Sequence, residues 1–325
     1  MTLESDGLNS QTGPESPWRF GRYLRWLAIV PPMLYLLPLV LIRIPGYESH
    51  FGSPFAPALE YAFDAAGQNA DIVIFGDSAA MINIDPVQMS SALGLKVINL
   101  PNTAGSLSVT GDIMLQNYSR HNKPPHLIVG YFTLHSLDYL HRKAIPMVYE
   151  GQEMLVDHGA FAQNMDFARS HPSDFLLFPL RFYPTTVVTL VRTLASHKPR
   201  SQTVIAGQGH FDPMSTHAAF PSGPCQLPLS GEDFPMDSAR EFRQKYTTPQ
   251  TAVLVYVSPI AACTNAGLVT SQPFAAIPAA TPRLLPPSSF KSDALFPAHL
   301  MPAAVPGATA QLIEAIQKAL PATAK

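Results

Sequence analysis

Three short apolar segments, separated by stretches of helical character, constrain the fold of this chain most. They are DIVIF (71–75), KVINL (96–100) and HLIVGYF (126–132). Each is bounded by turn-forming residues, as buried strands of a parallel sheet are. The intervening stretches DPVQMSSAL (85–93) and SLSVTGDIMLQNYSRH (106–121) are typical of helices. Strands and helices that alternate in this way predict an α/β fold in which helices cover both faces of a parallel sheet, giving three α/β/α layers.

The regular alternation stops at about residue 135 and returns about a hundred residues later. Residues 135–236 are rich in Pro, His, Phe and Gly, which is typical of a helical and loop insertion. A helical stretch, SAREFRQKY (238–246), and an apolar strand, AVLVYVSPI (252–260), then resume the pattern, and an amphipathic helix ends the chain. The sequence therefore predicts one domain over 71–325 that carries this insertion.

The N-terminal region contains one long uncharged stretch. WLAIVPPMLYLLPLVLI (26–42) has no charge over 17 residues, which is near the lower limit for crossing a hydrocarbon layer of about 30 Å. Its prolines are better tolerated by a helix in a membrane than by one in water. The sequence predicts a transmembrane helix at 23–43, and a cleaved signal peptide is the alternative.

Basic residues are distributed unevenly around this stretch. Arginines precede it at positions 19, 22 and 25, whereas after position 43 the next basic residue is Lys96. By the positive-inside rule, this asymmetry keeps the N-terminus cytoplasmic. We therefore expect a single-pass protein of the inner membrane with a cytoplasmic tail (1–22), a linker (44–70) and a periplasmic domain.

Charge and cysteine content narrow the classes of partner. The net charge is −2 at pH 7 and no lysine and arginine cluster follows residue 43, so the basic surface of a nucleic-acid-binding protein is missing and no nucleic-acid partner is expected. Cys225 and Cys263 are the two cysteines. They either form one disulfide bond or remain two thiols, and their spacing does not indicate a metal site. No cofactor is expected.

The first apolar strand is followed at once by Gly-Asp-Ser. Ligands of an open parallel sheet bind outside the carboxyl ends of its strands, and Ser78 lies just beyond such an end. A serine hydroxyl becomes a nucleophile when a base removes its proton. His299 is the candidate base because it lies in a loop before the terminal helix. The alternatives are an ordinary turn at Ser78 and a histidine that hydrogen-bonds to backbone at a helix entry.

Three segments of the chain resemble the SGNH, or GDSL-like, superfamily of serine esterases and acyltransferases. They are FGDSAAMINIDP, VINLPNTAGS and AHLMPAAVPGA. The resemblance implies a flavodoxin-like sheet with Ser78 as the nucleophile and His299 as the general base. It also implies that the backbone N–H of Gly105, together with that of Ser78, stabilises the oxyanion.

Two positions depart from the pattern of that superfamily. Phe132 occupies the place of the third-block asparagine that donates to the oxyanion, so Asn99 and Asn102 are alternative donors. The aspartate that orients the histidine is expected three residues before it, but Asp293 lies six residues before His299. Either Asp293 fixes the tautomer of the imidazole across the loop, or a backbone carbonyl does so in a dyad.

The motifs are most similar to the membrane-anchored branch of the superfamily, which acylates extracytoplasmic polymers such as alginate, cellulose or teichoic acid. This similarity implies an O-acyltransferase that moves an acyl group, in particular acetyl, onto an exported polysaccharide through an acyl-serine. It also implies a membrane-bound partner that supplies the acyl donor. A carbohydrate esterase and a non-catalytic glycan-binding or scaffold protein of an export complex remain alternatives.

Overall fold

The computed structural model describes residues 17–41, 56–63, 65–102, 109–133, 202–213, 216–227, 236–267, 282–292 and 297–320, with a few positions between 165 and 191. The strands are β1 (Ile72–Gly76), β2 (Val97–Pro101), β3 (Leu127–Phe132), β4 (Ala252–Val257), β5 (Ile260–Ala261) and β6 (Leu284–Leu285). The helices are α1 (Pro17–Leu41), α2 (Ala56–Phe63), α3 (Ser78–Asn83), α4 (Pro86–Leu93), α5 (Val109–His121), α6 (Gln202–Ala206), α7 (Met236–Tyr246) and α8 (Val305–Ala319). Single 3₁₀ turns lie at Pro287–Ser289 and Pro302–Ala304.

The main sheet has four parallel strands in the order β2-β1-β3-β4. In register, Ile74 of β1 lies between Asn99 of β2 and Val129 of β3. The chain places β2 on one side of β1 and β3 on the other, so the direction of winding reverses between β1 and β3. Such a reversal opens a crevice at the carboxyl ends of the strands, where ligands of doubly wound sheets bind.

Helices cover both faces of this sheet. Alternate residues of a strand point to opposite faces, and Val73 and Phe75 accordingly join one core cluster while Ile72 and Ile74 join another. The first cluster includes residues of α2, α5 and α7, and the second includes residues of α3, α4 and α8. The predicted α/β class with a parallel sheet is confirmed.

Gly76, the last residue of β1, lies where no side chain has room. A Cβ atom built on it would be 1.9 Å from the carbonyl oxygen of Tyr131 and 2.7 Å from the Cβ of Ala80. The first of these atoms is backbone of the neighbouring strand, so it cannot move aside without separating β1 from β3. The glycine of the Gly-Asp-Ser motif is therefore required by the close approach of β1, β3 and α3.

We expect Gly76→Ala to lower the free energy of unfolding by at least about 1–3 kcal/mol, the usual cost of overpacking. Urea unfolding followed by circular dichroism measures this change. Gly307→Ala is the matched control, because a Cβ there meets nothing within 4 Å inside α8 and alanine favours a helix by up to about 1 kcal/mol. Equal midpoints for Gly76→Ala and the wild type would contradict this account.

α1 overlaps the segment 23–43 that was predicted to cross a membrane. Within the described part of the chain, however, no helix combines the length and the apolar character that a crossing requires. α1 contains Arg22 and Arg25 and ends at Leu41.

The structure describes residues 56–63 and 65–70 of the predicted linker 44–70, and this part of the chain is partly helical and buried. It contains α2, whose Leu59 and Ala62 belong to the core on one face of the sheet. Ala58 and Tyr61, on another side of α2, pack against Met81 and other residues. Its apolar residues point in more than one direction, so α2 is a buried part of the domain. The tail expected at 1–22 falls outside the described residues up to position 16.

Cys225 and Cys263 form a disulfide bond, with an S–S distance of 2.04 Å. The sequence had left this pairing open. Hydrogen bonds reinforce the connection: the N–H of Thr264 donates to the carbonyl of Cys225 at 3.0 Å, and the amide of Asn265 both accepts from and donates to the backbone of Leu227 at 2.8 Å. The end of the insertion is therefore attached firmly to the chain that follows β5.

Replacing both cysteines by serine should lower the free energy of unfolding by about 2–4 kcal/mol, since the bond constrains the unfolded chain. Urea unfolding with and without a reducing agent measures the effect. The reductant should destabilise the wild type and leave the Cys225→Ser/Cys263→Ser variant unchanged. A wild type that is indifferent to reductant would contradict the presence of the bond.

Candidate active site

Ser78 lies at the point where the sheet reverses its winding. It is the first residue of α3 and follows β1 after a single intervening residue, Asp77. Asp77 is the N-cap of α3, and its Oδ1 accepts a hydrogen bond of 2.9 Å from the N–H of Ala79, as short polar residues do at helix starts. Ser78 is partly exposed and lies at the carboxyl end of β1, where ligands of doubly wound sheets bind.

Asp77 also connects α3 to the neighbouring strand. Its Oδ2 accepts hydrogen bonds from the backbone N–H of Thr133 at 3.0 Å and from the hydroxyl of Thr133 at 2.8 Å. Thr133 directly follows β3, and Asp77 is only 2% exposed. Both carboxylate oxygens are thus used to hold the backbone that carries Ser78, which makes Asp77 a structural residue.

His299 lies beside Ser78. Its Nε2 is 2.9 Å from the Ser78 Oγ, although 221 positions separate the two residues. His299 is 8% exposed and comes from the segment that precedes α8. With the proton of the ring on Nδ1, Nε2 accepts the hydrogen bond from the serine hydroxyl, which is the geometry that a general base needs. The structure therefore brings together the two residues that the sequence singled out for chemistry.

Asn83, the last residue of α3, holds the backbone on both sides of His299. Its Nδ2 donates to the carbonyl of Ala298 at 3.0 Å, and its Oδ1 accepts from the N–H of Leu300 at 2.7 Å. Asn83 is fully buried. One short helix thus carries Ser78 at its first position and, at its last, the side chain that positions the histidine.

A buried polar network continues beneath Asn83. The Nδ2 of Asn83 donates to the Ser258 hydroxyl at 3.2 Å, and the Tyr131 hydroxyl donates to the same oxygen at 3.3 Å. Burial raises the pKa of Tyr131, so its phenol stays neutral and remains a donor. Sequence reasoning missed Asn83 and Ser258. The sequence signal for them was weak: Asn83 is a polar residue at the end of the mostly apolar helix α3, and Ser258 is one directly after the apolar strand β4.

Asn99 and Asn102, the two alternative oxyanion donors, differ in their position relative to Ser78. The Asn99 side chain is buried, and its Nδ2 donates to the carbonyl of Ala80 in α3 at 2.7 Å. This hydrogen bond connects β2 to α3 and does not involve Ser78. Asn102 follows β2 at the same edge of the sheet as Ser78, and its backbone N–H donates to the carbonyl of Gly76 at 2.8 Å. Asn102 therefore remains beside the site, and Asn99 does not.

The remaining predicted positions are divided between the core and the undescribed part of the chain. The Phe132 ring is fully buried and packs edge-on against Phe75 and Phe242, with centroids 6.3 and 5.4 Å apart. It is a core residue and supplies no donor to the site. Gly105 and Asp293 lie outside the described residues. Among the residues that are described, no group of His, Cys, Asp and Glu side chains is arranged to hold a metal ion.

The fold and the site together define an α/β protein with a serine and histidine pair at the switch point of a parallel sheet. Comparisons with protein-family models, curated proteins and solved structures find no match to this chain. The functional assignment therefore depends on the chain's own motifs and on the geometry of this pair.

Asn83→Ala should lower the free energy of unfolding by about 1–3 kcal/mol for each buried group left unpaired, and should loosen the backbone around His299. Hydrogen exchange of peptides that cover residues 297–301 measures the local effect. Asn122→Ala is the matched control, because its side chain also binds backbone groups but has no contact with this segment. Faster exchange at 297–301 in the control alone would refute the role given to Asn83.

Proposed function

We propose that this chain is a serine-dependent acyl-transfer enzyme of the SGNH type. The observation that carries the proposal is the 2.9 Å contact between His299 Nε2 and Ser78 Oγ at the carboxyl end of β1. A serine nucleophile requires a nearby base to remove its hydroxyl proton, and an imidazole within hydrogen-bond distance can do so. A serine in an ordinary turn requires no such base. The partial exposure of Ser78 supports the same interpretation.

In the first half of the reaction, the Ser78 oxygen attacks the carbonyl carbon of the acyl donor. His299 Nε2 takes the hydroxyl proton as the carbon–oxygen bond forms, and the carbonyl oxygen becomes an oxyanion. When the tetrahedral intermediate collapses, the bond to the leaving group breaks and His299 returns the proton to it. The products are the departed leaving group and an acyl ester on Ser78.

In the second half, an acceptor hydroxyl attacks the acyl-serine. His299 takes the proton of the acceptor, a second tetrahedral intermediate forms, and its collapse returns that proton to the Ser78 oxygen. A sugar hydroxyl as acceptor gives acyl transfer, and water gives hydrolysis. The same residues perform both reactions, so the esterase belongs to the same proposal.

Donors to the oxyanion come from the backbone near Ser78 in this proposal. The N–H of Ser78 itself is one, as the resemblance implies, and that of Gly105 is the second. Such preorganised donors contribute about 3 kcal/mol each to transition-state stabilisation. Asn102 is the candidate for a further donor, since its backbone is bonded to Gly76 at the same edge of the sheet.

We propose an exported polysaccharide as the acceptor and acetyl as the acyl group, at the periplasmic side of the inner membrane. The disulfide bond between Cys225 and Cys263 supports this location, because such bonds persist in oxidising compartments. An acyl donor made in the cytoplasm must then be passed across by a membrane-bound partner. The resemblance to polymer acyltransferases supports both the acceptor and this partner.

A non-catalytic glycan-binding module is the second candidate. The position of Phe132 favours it: the residue at the place of the family's oxyanion asparagine is packed into the core. Under this alternative, Ser78 and His299 form a polar contact without turnover.

Labelling with a fluorophosphonate separates the two candidates. The full chain should be phosphonylated on the peptide that contains Ser78, and Ser78→Ala should abolish the label. His299→Ala should slow labelling by about 10²–10⁴-fold, the usual contribution of a general base. Mass spectrometry of the labelled peptides identifies the modified residue.

Ser91→Ala is the control for this experiment, because Ser91 is an exposed serine on α4 whose hydroxyl donates to Val87. It should label like the wild type. A wild type that is folded but never labelled at Ser78 would exclude the catalytic proposal in favour of glycan binding.

A second assay separates transfer from hydrolysis, with p-nitrophenyl acetate as the acyl donor and a cello-oligosaccharide as the acceptor. Acetylated cello-oligosaccharide indicates transfer, and free acetate indicates hydrolysis.

A further inference from the structure

The backbone of His299 lies against a second extended segment, residues 290–292. The N–H of Lys291 donates to the carbonyl of His299 at 2.8 Å, and Phe290 forms an antiparallel bridge with Leu300. On its other side, Lys291 forms a bridge with Ala219. The segment 290–292 is therefore the middle of three short extended segments, and it sets the position of the backbone that carries the imidazole.

The side chain of Lys291 is fully buried, and its ammonium group forms an ion pair with the carboxylate of Asp212. A charge removed from water is costly unless a partner of opposite charge faces it. The Asp212 side chain is only 14% exposed. The pair therefore fastens the middle segment to the stretch that contains Asp212, which belongs to the insertion.

That stretch of the insertion is itself bound to the helix that carries Ser78. The N–H of Phe211 donates to the carbonyl of Met81 in α3 at 3.1 Å, and the His210 Nδ1 lies 2.7 Å from the carbonyl oxygen of Ile84, directly after α3. Contacts thus run in a closed ring from Ser78 through α3 and the insertion to Lys291, and back through His299 to Ser78.

We propose that Asp212 and Lys291 are positioning residues that hold His299 at hydrogen-bond distance from Ser78. Their importance for catalysis rests on the proposed function, whereas their effect on the position of the imidazole does not. This role gives the insertion a part in the site, because it supplies one half of the ion pair.

The test is side-chain ¹⁵N NMR of histidine in the full-length chain. His299→Ala identifies the His299 signals by their absence, and Ser78→Ala gives their position when the hydrogen bond to the serine is missing. Asp212→Asn/Lys291→Met removes both charges at nearly constant volume and leaves neither charge unpaired. We expect this double variant to move the His299 signals towards their Ser78→Ala position. Signals at the wild-type position in the folded double variant would overturn the proposal.

The matched control is Arg283→Met/Glu314→Gln. This pair is exposed, with 3.8 Å between its nitrogen and oxygen and about half of each side chain in solvent, and should leave the His299 signals unchanged. Equal movement of these signals in the control would overturn the proposal.

Fluorophosphonate labelling provides the functional arm. The double variant should be labelled on the order of 10- to 100-fold more slowly, since a misplacement of roughly 1 Å can cost about 10²-fold in rate. In the His299→Ala background, the same two changes should have no further effect. Displaced signals in a chain that labels in no form would disprove the enzyme and leave the positioning role intact.

Asp212→Glu serves if the double variant fails to fold. It keeps both charges and lengthens one side chain by a single methylene group, so the ring of contacts remains closed with altered spacing. The His299 signals should then move part of the way to their Ser78→Ala position, and unmoved signals would again overturn the proposal.

Discussion

The buried carboxylate of Asp77 is the interaction on which the rest of the site depends. One of its oxygens caps α3 and the other binds the residue that follows β3, so the first turn of the helix is fixed to two neighbouring strands. Because α3 is six residues long, whatever fixes its start also fixes its end. The positions of the Ser78 hydroxyl and the Asn83 amide are therefore fixed relative to each other by α3. The amide of Asn83 in turn fixes the loop that contains His299.

Local pattern was sufficient to predict the parts of the fold that repeat a simple unit. The short runs at β1, β2 and β3 are mostly apolar and lie between turn residues, which favours strands, and the terminal helix α8 has a clear apolar face. The position of Ser78 followed from the end of β1. Pairing it with His299 required the further rule that parallel strands present their carboxyl ends at one edge.

Other features depended on contacts that no local pattern reveals. The sequence around Asn83 does not show whether its amide faces water or protein. In the structure the amide hydrogen-bonds to the backbone on both sides of His299, more than two hundred positions away. α2 lies in the stretch predicted to be a linker. Its eight residues are apolar at most positions and show no single stripe, and it is buried on more than one side. Asn99 was a reasonable oxyanion candidate by position, but the pleat of β2 turns its amide beneath α3.

The separation of Ser78 and His299 along the chain has a consequence for the timing of synthesis. Ser78 is translated in the first quarter of the protein and His299 near the end. A ribosome-bound or truncated chain can build β1 and α3, but its Ser78 lacks the hydrogen-bond partner His299. Under the proposed function, Ser78 therefore becomes reactive only after the last part of the polypeptide has docked, and unfinished chains are chemically inert.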